Sequence, residues 1–189
     1  MDDAAALIEK IREHYLLQFN VFVAEQRREH GSGSAEVKFE LSPQSSVFRR
    51  LYCVDFATKK GDEAIIRELQ PDLILTFEPF EIDVRGVSIE LEQLVWDDVE
   101  IHHDASNVLR GDVERWFNYW FDPEESRYDP DTEVGRIIHS LIVTGGQISI
   151  DLGTATTDAF WDMLDLVAAA GATTIRVTSS REQTSEQLP

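Results

Sequence analysis

Residues 137–179, IIHSLIVTGGQISIDLGTATTDAFWDMLDLVAAAGATTIRVTS, decide the fold, because every local signal in them agrees. Gly145-Gly146 is a two-residue loop whose central positions can both take positive φ, which is what a primed hairpin turn requires. Closing the turn there pairs Thr144 with Gln147, Val143 with Ile148, Leu141 with Ile150 and His139 with Leu152. Alternation then puts Leu141, Val143, Ile148, Ile150 and Leu152 on a core face, and Ser140, Thr144, Gln147, Ser149 and Asp151 on a wet one. After Gly153 the apolar period becomes helical: Thr156 or Thr157 is the N-cap, Phe160, Met163, Leu164 and Val167 form the buried stripe, and Gly171 is the stop. A strand at 173–178 returns with Ile175 and Val177 inward. Strand, helix and strand together predict a crossover that lays its helix on the apolar side of a mixed sheet.

Working outward, residues 1–30 read as one long N-terminal helix with Ile8, Ile11, Tyr15, Phe19 and Phe22 on one stripe, ended by the GSGS run at 31–34. Its length suits packing across the domain or a homodimer contact. A strand at 35–41 alternates with Val37, Phe39 and Leu41 inward and Glu36, Lys38 and Glu40 outward. Segments 51–58 and 63–70 flank a four-residue loop, and the second could instead be a short helix. Residues 73–83 and 87–92 make a hairpin about Arg85-Gly86, with Ile82 facing Ile89 on an apolar side and Glu81 facing Glu90 on the other. The sequence thus predicts an α+β domain over residues 35–179, a two-layer mixed or mostly antiparallel sheet built from hairpins. Residues 180–189 read as a disordered tail.

A helix near 112–121 carries Trp116, Phe117, Tyr119, Trp120 and Phe121, aromatic over more than half its girth. It is read as sandwiched between two layers. The alternative is an exposed patch holding Trp116 and Trp120. The acidic loop at 122–135 is longer than a simple connection needs.

The chain has 17 Lys and Arg against 36 Asp and Glu, a net charge of −19. Such a field repels nucleic acid and anionic membranes and attracts basic partners. No apolar run approaches the roughly 20 residues that cross a bilayer. The start MDDAAALIEK lacks the basic and apolar regions of a signal peptide, so a cytoplasmic location is expected. One cysteine, Cys53, rules out an internal disulfide or a multi-cysteine metal site; lying in an apolar strand, it is expected to be inert.

Chemistry-bearing patterns are sparse. Glu100, His102 and Asp104 alternate along a strand-like run beside His103, which could begin a metal site at His102 and Asp104. A lone His139 on the apolar face reads as a hydrogen-bonded core residue. Asp129, Asp131 and Glu133 resemble the start of a calcium loop, but the glycine and the twelfth position do not fit. No phosphate loop, zinc-protease helix or nucleophile elbow occurs, no cofactor is implied, and the balance leans away from an enzyme.

The expected function is a non-catalytic acidic domain that captures a basic protein, in the manner of inhibitors or immunity proteins. Its candidate partner-binding residues are Glu81, Asp83, Glu90, Glu92, Trp116 and Trp120. The alternatives are a metal-assisted hydrolase using His102 and Asp104, and an oligomeric structural or regulatory subunit.

Overall fold

The computed structural model describes residues 2–106, 110–129, 131–132 and 134–181. In chain order come helix α1 (Asp2–His30), strands β1 (Ser34–Glu40), β2 (Leu51–Lys60) and β3 (Glu63–Arg67), and the hairpin β4 (Phe80–Val84) and β5 (Val87–Leu91). Strand β6 (Val99–His103), helix α2 (Arg110–Phe121), the hairpin β7 (Ser140–Val143) and β8 (Gln147–Asp151), helix α3 (Thr157–Ala169) and strand β9 (Ile175–Thr178) complete it. The fold is α+β with two mostly antiparallel sheets.

The larger sheet has the order β4-β5-β9-β6-β8-β7. Its two hairpins take the expected registers: Leu141 faces Ile150 and Val143 faces Ile148, while Ile82 faces Ile89 and Glu81 faces Glu90. Arg85 and Gly86 both have the positive φ of a primed turn, but Gly145 and Gly146, expected to, do not. The crossover through α3 carries the chain over β6, so β9 lies between β6 and β5 and is parallel to β5. Ile89, Leu91, Ile101, Ile148, Ile150, Ile175 and Val177 form the buried side, joined in one core by Phe160, Met163, Leu164 and Val167 of α3. Thr156 precedes α3 in extended conformation but makes no side-chain capping bond. Gly171, at φ +86°, ends the segment as expected.

The strands divide between two sheets. β1, β2 and β3 form a separate three-stranded antiparallel sheet, with β3 a strand and the β2–β3 turn tightened so that Lys60 faces Glu63. It is set against the end of the larger sheet by one backbone bond, Cys53 N–H to the His139 carbonyl (2.8 Å). In β1 the expected facing is reversed. Glu36 and Lys38 point into the molecule, while Val37 and Phe39 stay half-exposed and outside the core cluster. The inversion has a physical reason: Lys38 donates to the Asp122 carbonyl (2.7 Å), and Glu36 meets a buried cation described below.

α1 spans the length expected and packs through Ile8, Ile11, Tyr15, Phe19 and Val23, with Phe22 only partly buried. Arg12 Nε donates to the Ala155 carbonyl (2.6 Å) and Thr157 Oγ1 to Glu9 (3.1 Å), which fastens α1 to the start of α3. α2 lies against α3: Trp116 Nε1 donates to the Ala159 carbonyl and Trp120 Nε1 to Asp162. Among the described residues no helix is long and apolar enough to cross a membrane. Residues 182–189, which hold most of the expected tail, and Glu133 lie outside the described residues.

Candidate functional site

The side of the larger sheet that faces away from its apolar core is polar, and the strand registers give its order. Glu81 of β4 stands opposite Glu90 of β5, Glu90 beside Arg176 of β9, Arg176 opposite His102 of β6, and His102 opposite Gln147 of β8. Asp83 and Glu92 share the Glu81–Glu90 side by alternation. Four of the acidic candidates are therefore gathered at the β4–β5 end of one sheet face. Glu81, Asp83 and Glu90 are exposed and Glu92 half-exposed. Their local partners are few: Ser88 Oγ donates to Glu81 (2.9 Å), Gly86 N–H to Asp83 (3.0 Å), and Arg176 reaches Glu92 at 3.4 Å.

Directly opposed like charges destabilise a sheet by a few tenths of a kcal/mol or more. Glu81→Lys is expected to raise the unfolding free energy by about 0.3–1 kcal/mol at low ionic strength, and the gain is expected to shrink in about 1 M salt. Urea denaturation with and without salt measures this. Equal or lower stability at low salt would mean that Arg176 already neutralises the pair.

The aromatic candidates fall elsewhere. Trp116 and Trp120 are 6% and 5% exposed, and their N–H groups are spent on α3. α2 is the sandwiched helix, and the exposed tryptophan patch does not form.

His102 sits on the polar sheet face with Nε2 3.4 Å from Glu100. Asp104 is committed to the chain before β9: it accepts from the Thr173 N–H (2.7 Å), the Thr174 N–H (3.1 Å) and the Thr173 hydroxyl. These bonds hold its carboxyl well below the usual range, at about 2. His103 has neither ring nitrogen paired, and burial lowers its pKa against the pull of Asp104. Among the described residues no three His, Cys, Asp or Glu side chains are arranged to hold a metal ion.

What the sequence did not reveal is a charged cluster between the two sheets. His139, read as an ordinary core histidine, is fully buried. Its Nε2 lies 3.1 Å from Glu36 of β1, and its Nδ1 lies 2.9 Å from Asp55 of β2, in ion-pair range but off the line of a hydrogen bond. Asp151 of β8, expected on a wet face, approaches Nδ1 at 4.0 Å. The carboxylates are themselves held. Glu36 accepts from Thr154 Oγ1 and from the Gly135 N–H, both at 2.5 Å; Asp55 accepts from the Leu69 N–H (2.6 Å), and Asp151 from the Gly153 N–H (2.9 Å). Glu36 sits at φ +51°, a region that side-chain-bearing residues disfavour, and its bonds keep it there. Because Glu36 and Asp55 flank opposite nitrogens of the ring, the donors do not converge on a common point where an ion could sit.

Burial alone would keep His139 neutral, but its surroundings reverse this. Cys53, Asp151 and the contacts with Asp55 and Glu36 raise its pKa well above the usual histidine value. Burial pushes the Cys53 thiol up to about 12, so at neutral pH it is uncharged and the carboxylates carry the effect. Burial also pushes Asp151 up to about 8 against the pull of His139, although a fifth of its side chain still reaches solvent. Glu68, bonded by the Tyr52 hydroxyl and the Asp55 N–H, is raised to about 7 by burial and by Asp55. Tyr15 of α1 is buried, and its pKa is raised by burial and by Asp151.

These shifts give a pH profile. A histidine whose pKa is higher folded than unfolded stabilises fully below about 6.5, and that contribution is lost as the pH rises through the folded value. Asp151 and Glu68 act in the same sense, because each binds its proton more tightly when folded. The unfolding free energy is therefore expected to fall as the pH rises from about 6 to 9. Urea denaturation at constant ionic strength measures it; a flat or rising profile would mean that His139 is neutral in the fold.

The chain matches no family model, no curated protein and no solved structure.

Proposed function

We propose that this chain is a non-catalytic binding domain of the cytoplasm whose acidic sheet face captures a basic protein, as an inhibitor or immunity protein covers a cationic surface. The observation that supports it most is the direct opposition of Glu81 and Glu90, with Asp83 and Glu92 on the same open face. A sheet gains nothing in stability from such an arrangement, whereas a cationic surface docked on it would relieve the repulsion and speed encounter. The net charge of −19 has the same sign as this face and adds to its pull on a cationic partner.

The test is quantitative capture of proteins from lysate over a sodium chloride series, comparing the native chain with Glu81→Gln/Glu90→Gln. The reading holds if one basic protein is retained by the native chain, released by salt and bound at least about tenfold more weakly by the double variant. Capture that ignores both the substitutions and the salt overturns it.

A second reading, self-association through α1, is favoured by Leu17 and Val21, four residues apart on that helix and 66% and 59% exposed. Sedimentation of the native chain against Leu17→Glu distinguishes a dimer from a monomer. A metal-assisted hydrolase at His102 and Asp104 finds less support, since both Asp104 oxygens are engaged by Thr173 and Thr174.

A further inference from the structure

The larger sheet ends in β7 on one side and β4 on the other. Just before β7, the His139 carbonyl accepts the Cys53 N–H of the small sheet. β4, at the other edge, pairs with β5, and no further backbone bond to residues 80–84 occurs among the described residues. Beside it, between the start of α1 and the chain entering β4, lies a cleft of about 430 Å³ lined by Leu7, Phe77, Phe80 and Ile82. Asp3, Glu78 and Glu81 rim this cleft, all three exposed. The rings of Phe77 and Phe80 meet edge to face with centroids 5.5 Å apart, so the apolar floor is formed without an occupant.

Alternation within β4 separates its two sides. Phe80, Ile82 and Val84 are half-buried, and Glu81 and Asp83 project from the polar face. A strand laid along this edge would meet apolar side chains at every second position and carboxylates at the positions between. A second copy of this chain is a poor occupant, since pairing two such edges would bring four carboxylates together on one face.

We propose that β4 accepts an extended segment of a partner protein as an additional strand, and that this segment alternates apolar residues with lysine or arginine. Its apolar side chains seat over Leu7, Phe77, Phe80 and Ile82, and its basic ones face Glu81 and Asp83. The inference rests on the basic-partner reading above and narrows the partner to one with an exposed strand or an unfolded basic segment.

The probe is a fluorescent peptide of alternating lysine and valine, with two controls: the same peptide N-methylated at alternate amides on the edge-pairing side, and a block peptide of the same composition. Binding is measured by anisotropy over a salt series, with amide hydrogen exchange followed on residues 80–84. The expected result is binding by the alternating peptide, weakened about tenfold or more by N-methylation, by the block order and by Glu81→Lys/Asp83→Lys, with new protection at β4. If all three peptides bind alike and salt releases them, without protection at β4, strand addition is overturned while capture by the acidic face survives. If no peptide binds even at low salt, both the strand addition and the acidic-face reading fail.

Discussion

His139→Ala is expected to lower the unfolding free energy by about 3–5 kcal/mol, the largest effect of any single substitution foreseen for this chain. The imidazole is fully buried and lies within 4.0 Å of three carboxylates that come from β1, β2 and β8. Removing it deletes the cation they share and leaves Glu36 and Asp55 facing each other across a void, with Asp151 beside them. Because the charged ring stabilises fully below about pH 6.5 and less as the pH rises, the loss is expected to be larger at about pH 5 than at about pH 9. A domain has about 5–15 kcal/mol of stability in total, of which the alanine variant loses a large share. His139→Gln, which keeps a donor for Glu36 but carries no charge, serves as the measurable intermediate. A loss below about 1 kcal/mol for both variants would show that the carboxylates do not depend on the ring.

Gly153→Ala is expected to cost about 2–4 kcal/mol for two reasons that add. Gly153 has φ +49°, where a side chain is strained, and a Cβ placed there would overlap the His139 ring. The ring has nowhere to go, since Glu36 and Asp55 hold both nitrogens, and the Gly153 carbonyl is itself held by Trp96 Nε1 at 3.0 Å. Gly171→Ala is the control: it shares the positive φ, +86°, but a Cβ there meets nothing within 4 Å. It should lose only the backbone contribution, about 1 kcal/mol. Equal losses in urea denaturation would show that contact with His139 contributes nothing.

The parts of this fold that could be read from sequence are those whose cause is local. Gly145-Gly146 and Arg85-Gly86 set the registers of their hairpins, the helical spacing of Ile8, Ile11, Tyr15 and Phe19 gave α1, and alternation put Glu81 opposite Glu90. Alternation failed where a polar residue has a distant partner. Alternation puts the carboxylates of Glu36 and Asp151 outward, yet both turn toward His139. Two residues carried a usable hint: Asp55 sits inside the apolar run Leu51-Tyr-Cys-Val-Asp-Phe56, and His139 sits inside Ile137-Ile-His-Ser-Leu141. A lone acid in one buried strand and a lone base in another satisfy each other most cheaply as a pair. The separation of the small sheet, by contrast, depends on which strands meet, and no single segment encodes that.

The His139 cluster also bears on how the molecule is made. Glu36 meets His139 across 103 residues and Thr154 across 118, so the carboxylates that β1 and β2 turn toward the ring meet that cation only when the last quarter of the described chain is in place. A nascent chain released only as far as β3 holds Glu36 and Asp55 with nothing to neutralise them, and contacts this distant in sequence form slowly. The first sheet is therefore expected to stay open on the ribosome until residues 137–155 emerge, and the domain to close in a single late step rather than sheet by sheet.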